Sequence, residues 1–242
     1  MAKVIVLRPV LDSIEPATQD SLNRMKEYCV RKKVCEFVPN AWQDLFVTGS
    51  TILHKVRADL VNVALTIPGW DCALFVDNDM AFPKDALERL LVEEKAVVGV
   101  QYIMRSEPYR VTAWADVDGK PVQMNTPYWR EGTHEVAAVG MGLTLIGREV
   151  FEKTPQPWFD FGEYPGEDIH FCMKAREAGF KVWLNCDMEI GHVGKHKYTL
   201  HSLDRNANSA QAWLEEEMQR IRAAAKEEEE PDELEGEIDI GN

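Results

Sequence analysis

Short apolar runs and longer amphipathic stretches alternate along the first hundred residues. The apolar runs have the length of strands and cover residues 4–7, 34–38, 72–76 and 96–100. The amphipathic stretches repeat their apolar residues at helical spacing and cover residues 18–32, a segment after Ser50 and a segment after Pro83. This β-α-β-α-β-α-β order is typical of a mostly parallel sheet with helices on both faces. The pattern therefore predicts an α/β fold, a three-layer α/β/α sandwich with a mostly parallel central sheet.

The second half of the chain is less regular. Residues 101–135 are polar and rich in aromatic side chains, which predicts irregular structure or a small hairpin with its turn at Asp118-Gly119. Residues 136–146 are apolar again, and glycines at 140 and 142 allow the backbone to approach a ligand or a neighbouring strand closely. The remaining predicted elements are a helix over 166–178 and late strands over 180–184 and 186–190.

The charge is unevenly distributed along the chain. The formal net charge is −14, and residues 215–242 contribute −9 of it, which leaves −5 on the other 214 residues. We predict one domain over residues 1–210, then a C-terminal helix and an acidic, disordered tail over 211–242, because the end of the tail has little to bury. The acidic body argues against broad binding to nucleic-acid backbones, which needs clustered Lys and Arg.

The cysteines and the apolar runs indicate the compartment. The five cysteines are scattered and include no Cys-x-x-Cys pair, which predicts free thiols in a reducing environment. No apolar stretch reaches the roughly 20 residues that a membrane-spanning helix needs. The sequence therefore predicts a soluble, cytoplasmic protein with no membrane partner.

The strand predicted over residues 72–76 ends directly at Asp77, Asn78 and Asp79. In open α/β sheets, ligands bind just beyond the carboxyl ends of such buried strands. Two carboxylates separated by one residue offer oxygen ligands to a hard divalent cation, and such a cation commonly accompanies a phosphate. The alternative is a polar turn that caps the helix after Pro83.

Two further segments carry candidate chemistry. Glu167 and Asp168 begin a predicted helix, where carboxylates are favoured by the helix dipole, so simple capping is the alternative reading. The aromatic residues just before them, at 158–164, favour a sugar or nucleobase acceptor. His192 directly follows the last predicted strand, and although a lone histidine is more often structural, the nearby Lys197 suggests a loop that meets a diphosphate.

Taken together and in this order, these three segments resemble the glycosyltransferases of the GT-A fold, especially the family-2-like group. The resemblance covers residues 3–200 and implies a Rossmann-like GT-A domain with a UDP- or GDP-sugar donor and Mn²⁺ or Mg²⁺. It implies that Asp79 is a direct metal ligand, that Asp77 binds the ribose or assists the metal, and that His192 is a third ligand. Asp168, with Glu167 beside it, matches the catalytic base of inverting members.

The donor site is predicted from the same resemblance. Pro9 and Val10 end the first strand, where such folds contact the nucleobase, and Asn78 lies between the two aspartates. Arg57 is expected either to reach the diphosphate or to belong to a solvated helix face. Arg105 follows the strand at 96–100 and is also expected to meet the donor. The first strand lacks the apolar-Pro-Thr-Tyr-Asn run of the family, so the identity of the nucleobase stays open.

The resemblance implies transfer of a hexosyl or pentosyl group, and two other enzyme classes fit the residues less well. A haloacid-dehalogenase phosphatase needs Thr or Val where this chain has Ala81, and a nucleotidyltransferase needs a Gly-rich basic loop after the first strand. The main alternative is a non-catalytic nucleotide-sugar or carbohydrate-binding protein on the same fold. The acceptor stays open among a saccharide, a protein, a small molecule and a hydroxylated DNA base.

Overall fold

A computed structural model describes residues 1–10, 13–38, 44–47, 52–107, 109–124, 131–194 and 197–199. The chain divides into two compact units, Met1–Asp204 and Arg205–Asn242, and all the described residues belong to the first. The predicted cap at Ser50, the domain boundary at residue 210, and the predicted helix and tail over 211–242 lie outside the described residues.

The described residues form fourteen strands and five helices. The strands are β1 Lys3–Pro9, β2 Glu36–Phe37, β3 Leu45–Val47, β4 Cys72–Val76, β5 Met80–Ala81, β6 Val97–Val100, β7 Ala113–Val117, β8 Lys120–Gln123, β9 Thr133–Val136, β10 Ala138–Val139, β11 Leu143–Gly147, β12 Val182–Asn185, β13 Gly191–Val193 and β14 Lys197–Tyr198. The helices are α1 Pro16–Lys32, α2 Leu53–Thr66, α3 Ala86–Val92, α4 Arg148–Lys153 and α5 Glu167–Glu177.

The central sheet has the strand order β2-β1-β4-β11-β6-β12-β9, and β3 also pairs with β1. Strands β1, β2, β3, β4, β6 and β12 run in one direction, whereas β11 and β9 run antiparallel to their neighbours. The sheet is therefore mostly parallel, and the predicted α/β class is confirmed. The central position of the antiparallel strand β11 was not predicted, because apolar character does not encode strand direction.

Two apolar cores cover the two faces of this sheet. Because successive strand residues point to opposite faces, Ile5 and Leu7 join one core and Val4 and Val6 join the other. The first core includes apolar side chains of α2, α4 and α5, and the second includes those of α1 and α3. The molecule is thus a three-layer sandwich, and β4, buried along its whole length, runs through the middle.

Two small sheets complete the fold. Strands β10, β7 and β8 form one of them, and the turn between β7 and β8 is at Asp118 and Gly119 as predicted. Both turn residues have positive φ, as a tight hairpin turn requires. Strands β14, β13 and β5 form the other sheet. The predicted strand over residues 186–190 is wrong: that segment is irregular, and the strand is Gly191–Val193, which pairs with β5 and contains His192 itself.

All five cysteines are buried and free. Among the described residues, no helix has both the length and the apolar character needed to cross a membrane.

Candidate functional site

Arg57 joins the two carboxylate motifs. Its guanidinium approaches Asp77 (Nη2 to Oδ1, 2.7 Å) and Glu167 (Nη1 to Oε1, 3.1 Å). Helix α2 carries Arg57, Asp77 directly follows β4, and Glu167 begins α5, so three separate elements meet at this cation. The side chain of Arg57 is only 2% exposed, which excludes the predicted solvated helix face. A buried charge with two partners is typical of a residue that holds its neighbours in place.

Asp168 lies half-buried next to this ion-pair network. Its Oδ1 accepts a hydrogen bond from the Ile169 amide at 2.8 Å. Burial raises the pKa of Asp168 to about 6, with a contribution from the neighbouring Glu167, while the positive charge of Arg57 opposes that rise. A carboxylate with a pKa near 6 is ionised at neutral pH and is a stronger base than an ordinary aspartate, which suits proton abstraction.

Asp79 and His192 are brought together by strand pairing. Strand β13 runs antiparallel to β5, with His192 opposite Met80, and the Val193 amide donates to the Asp79 carbonyl at 2.6 Å. This pairing places His192 Nε2 at 3.3 Å from Asp79 Oδ2. The two residues are far apart in sequence, so the small sheet creates their proximity.

The orientation of His192 determines which of its nitrogens could bind a metal. Its Nδ1 lies 2.9 Å from the Ile103 carbonyl oxygen, and because a carbonyl can only accept, Nδ1 must donate. The edge of the Tyr102 ring packs against the imidazole, with 5.4 Å between centroids. In the neutral imidazole, Nε2 then directs a lone pair towards Asp79, and this arrangement of a backbone acceptor behind the ring is common in metal-binding histidines.

Asp79 and His192 fit a divalent cation whose remaining coordination positions are filled by a bound ligand. Among the residues described, no cluster of three or more His, Cys, Asp or Glu side chains is arranged to hold a metal ion. Asp79 and His192 offer one oxygen and one nitrogen to the same point, whereas Asp77 is turned towards Arg57. Mg²⁺ and Mn²⁺ are often held by one or two protein groups together with phosphate oxygens and water, so two protein ligands are sufficient.

Arg105 shares Asp79 with His192. Its Nη1 lies 3.0 Å from Asp79 Oδ2 and donates to the Val193 carbonyl at 2.9 Å. Arg105 therefore lies beside the aspartate pair, where a donor diphosphate was predicted, and its present partner is the carboxylate of Asp79.

The glycines at 140 and 142 make room for a side chain that sequence reasoning missed. A Cβ at Gly142 would lie 2.7 Å from Tyr102 Cζ, and one at Gly140 would lie 3.0 Å from the same atom. The Tyr102 hydroxyl accepts a hydrogen bond from the Gly142 amide at 3.1 Å. The backbone at these glycines thus lies close to the buried Tyr102 side chain, whereas a ligand or a neighbouring strand was predicted. The aromatic richness of residues 101–135 was the only signal for Tyr102, and no spacing marked the Ile103 carbonyl.

The other predicted donor residues surround the end of β1. Pro9 and Val10 are buried there. Asn78, after β4, is bonded to the segment between β1 and α1. Its Nδ2 donates to the Ser13 carbonyl at 2.8 Å, and its own carbonyl accepts from the Glu15 amide at 2.8 Å. The backbone of Lys197 belongs to β14 and is paired with Val193; its side chain lies outside the described part of the chain.

The aromatic segment before α5 is divided between core and surface. Trp158 and Phe159 are buried in the core, and the Trp158 indole donates to the Phe151 and Thr154 carbonyls. Phe161 is 50% exposed and packs edge-on against His54 on α2, with 5.0 Å between centroids. Of these three residues, only Phe161 is exposed to solvent.

No protein-family model matches the chain, and no curated protein sequence matches it. Solved structures do match its fold. A197 from STIV is 19% identical, with a TM-score of 0.55 over 80% of this chain and 86% of that chain. At this level of identity the similarity concerns the fold alone.

Weaker matches include GalNAc-T7 with UDP, GalNAc and Mn²⁺ (15% identity, TM-score 0.48, 78% of this chain and 43% of that chain). Another is S. aureus TarS 1-349 (17% identity, TM-score 0.46, 82% of this chain and 60% of that chain). Both are glycosyltransferases, and this chain spans less than two thirds of each. These two similarities are too weak to support an argument on activity.

Proposed function

We propose that this protein is a metal-dependent glycosyltransferase that moves a hexosyl or pentosyl group from a UDP- or GDP-sugar to a hydroxyl acceptor. The proposal rests mainly on one observation. Asp79 lies next to His192, beside the ion-pair network of Asp77, Arg57 and Glu167. In this proposal the cation binds beside Asp77, and the base is Asp168, whose pKa is raised to about 6 and which follows Glu167. Arg57 joins Asp77 to Glu167 and so supports both parts of the site.

Each group has a role in this proposal. Asp79 Oδ2 and His192 Nε2 hold the cation, with Asp77 next to it for the ribose or the metal. A bound Mn²⁺ or Mg²⁺ supplies positive charge that stabilises the departing diphosphate. Asp168 accepts the proton of the acceptor hydroxyl as that oxygen attacks the sugar. Arg57 holds Glu167, and with it the first turn of α5, so that Asp168 keeps its position.

A separate base for the acceptor favours a single displacement, and therefore inversion at the anomeric carbon. In this proposal the acceptor binds next to Asp168 at the first turn of α5, and the exposed Phe161 is a candidate contact for it. An aromatic face beside carboxylates suits a sugar ring, yet the acceptor stays open among a saccharide, a protein, a small molecule and a hydroxylated DNA base.

The direct test is turnover of donor. We expect release of nucleoside diphosphate from at least one UDP- or GDP-sugar with Mn²⁺ or Mg²⁺, and loss of that release with a chelator. Asp79→Ala should abolish metal-dependent release while circular dichroism shows an intact fold. Full activity of Asp79→Ala with metal present would contradict the proposed site. Binding of donor by the wild-type protein without any turnover would instead favour a non-catalytic nucleotide-sugar-binding protein.

A further inference from the structure

We propose that Arg105 is an exchangeable counter-ion of Asp79, which makes binding of the divalent cation depend on the diphosphate of the donor. This inference rests on the proposed function. It assigns Arg105 two successive partners, the Asp79 carboxylate before the donor binds and a phosphate oxygen afterwards.

Arg105 and a cation compete for one atom. Asp79 Oδ2 lies 3.0 Å from Arg105 Nη1 and 3.3 Å from His192 Nε2. A divalent ion bound between Asp79 and His192 would need the same oxygen. Its charge of +2 would also lie next to the guanidinium, and two cations at such a short distance repel each other strongly. The guanidinium of Arg105 and a bound cation therefore compete for Asp79 Oδ2.

When Arg105 leaves Asp79 it gives up one ion pair and its hydrogen bond to the Val193 carbonyl. Its side chain is 45% exposed, whereas that of Asp79 is 13% exposed. The backbone beside it is held in place, because Ile103 and Val111 form a bridge and the Met104 amide donates to the Arg110 carbonyl at 2.9 Å. Rotation of the side chain alone is enough to move the guanidinium from Asp79 towards solvent or a ligand.

The exchange couples the two ligands. A cation that arrives alone must displace Arg105 and leave the guanidinium with water. When a diphosphate arrives with the cation, the guanidinium gains phosphate oxygens, which it binds in a charge-assisted and often bidentate way. Each ligand therefore favours binding of the other, and this coupling is reciprocal. The result is a site that retains its cation mainly when the donor or the released diphosphate is present.

The test measures binding of Mn²⁺ by electron paramagnetic resonance and calorimetry, with and without UDP or GDP. Arg105→Gln removes the competing charge, and an exposed ion pair contributes up to about 1 kcal/mol, so we expect Mn²⁺ alone to bind about three- to fivefold tighter. The enhancement of Mn²⁺ affinity by diphosphate should shrink by a similar factor. Arg105→Lys keeps the competing charge, so Mn²⁺ alone should bind about as it does to wild type, whereas part of the enhancement by diphosphate should be lost.

Arg89→Gln is the matched control, because Arg89 on α3 is equally exposed, at 45%, and pairs at 2.7 Å with Asp85, which directly precedes that helix. It should leave both Mn²⁺ affinities unchanged. The inference is overturned if Arg105→Gln binds Mn²⁺ alone no more tightly than wild type. If the protein still binds Mn²⁺ with diphosphate, the proposed metal-dependent function is not affected by that result. If the wild-type protein binds no Mn²⁺ even with UDP or GDP, the metal-dependent function fails as well.

Discussion

At the scale of single residues, the site is defined by how burial and neighbouring charge act on a few side chains. Asp168 is half-buried beside Glu167, and its pKa rises to about 6, although Arg57 opposes the rise. Burial also raises the pKa of Asp77, again against the positive charge of Arg57. His192 is oriented by a single backbone carbonyl. Two of the neighbours that act here, Arg57 on the aspartates and Ile103 on His192, are distant in sequence from the groups they affect.

The first prediction concerns the pH dependence of transfer. Because Asp168 must be ionised to accept a proton, and its pKa is about 6, kcat/KM should rise with pH through about 6 and level off above 7. The rate is measured as release of nucleoside diphosphate between pH 5 and 8. Asp168→Asn should lower kcat about 10²- to 10⁴-fold, whereas Asp160→Asn, on an exposed neighbour, should not. A flat profile from pH 5 to 8 would argue against Asp168 as the base.

The second prediction concerns stability at the same residue. A pKa of about 6 in the folded protein, against 3.8 for an ordinary aspartate side chain, means that ionisation of Asp168 weakens the fold as pH rises from about 4 to about 6. Asp168→Asn removes this cost and should stabilise the protein by about 1 to 3 kcal/mol at pH 8, with little gain at pH 4. Urea denaturation at both pH values measures the difference. An equal effect at both would contradict this explanation.

At the scale of elements, the site depends on which strands are neighbours. Strand β11 runs antiparallel between β4 and β6, so its first residues lie next to the end of β4, and the Asp77 amide donates to the Gly142 carbonyl at 3.0 Å. Strand β13 pairs with β5 and brings His192 to Asp79. The segment between β6 and β7 supplies Tyr102, which fills the space left by the glycines before β11.

The third prediction tests this packing. Gly142→Ala would place a methyl group 2.7 Å from Tyr102 Cζ and 3.0 Å from Met80 Sδ, so we expect a loss of about 1 to 3 kcal/mol in the free energy of unfolding. Gly147→Ala is the control, because its nearest neighbour would be 3.6 Å away, and it should cost less than about 1 kcal/mol.

A double variant identifies the cause of that loss. If the Tyr102 ring is responsible, Gly142→Ala should cost clearly less in a Tyr102→Leu background, as measured by urea denaturation. The same cost in both backgrounds would rule out the ring as the source of strain.

At the scale of the whole molecule, one buried cation joins the end of β4 to the start of α5. Arg57 on α2 holds Asp77 after β4 and Glu167 at the start of α5. Helices α2 and α5 pack on the same face of the sheet, so this ion-pair network is continuous with one of the two cores. In this acidic domain, the positive charge of Arg57 offsets the negative charges of Asp77 and Glu167.

The fourth prediction follows from this position. Arg57→Met should destabilise the fold by about 3 to 5 kcal/mol, because it leaves buried carboxylates without a partner. Part of the loss should return in Arg57→Met combined with Glu167→Gln, which removes one of those charges. Both are measured by urea denaturation at pH 7. Arg57→Lys keeps the charge but cannot reach two partners, so an intermediate loss is expected. A loss below 1 kcal/mol for Arg57→Met would show that the network is not structural.

Parts of the fold and site could be predicted from local pattern. The apolar run ending at Asp77 predicted a buried strand, the turn at Asp118 predicted a hairpin, and Glu167 was placed correctly at the start of a helix. The assigned roles of Asp79, His192 and Asp168 stay predictions. Arg57 was not predicted to be buried, because helical spacing alone does not show that a cation will be needed between two carboxylates.

The sequence by itself determined the alternation of strands and helices, the mostly parallel sheet and the carboxylates at strand and helix ends. Burial and periodicity are properties of neighbouring residues, so they can be read locally. Only the tertiary structure decided that β11 enters the sheet antiparallel, that β13 pairs with β5, and that Arg57 and Arg105 are bound to carboxylates. These features depend on strand pairing and charge balance between segments that are distant in the chain, and no local pattern records such contacts.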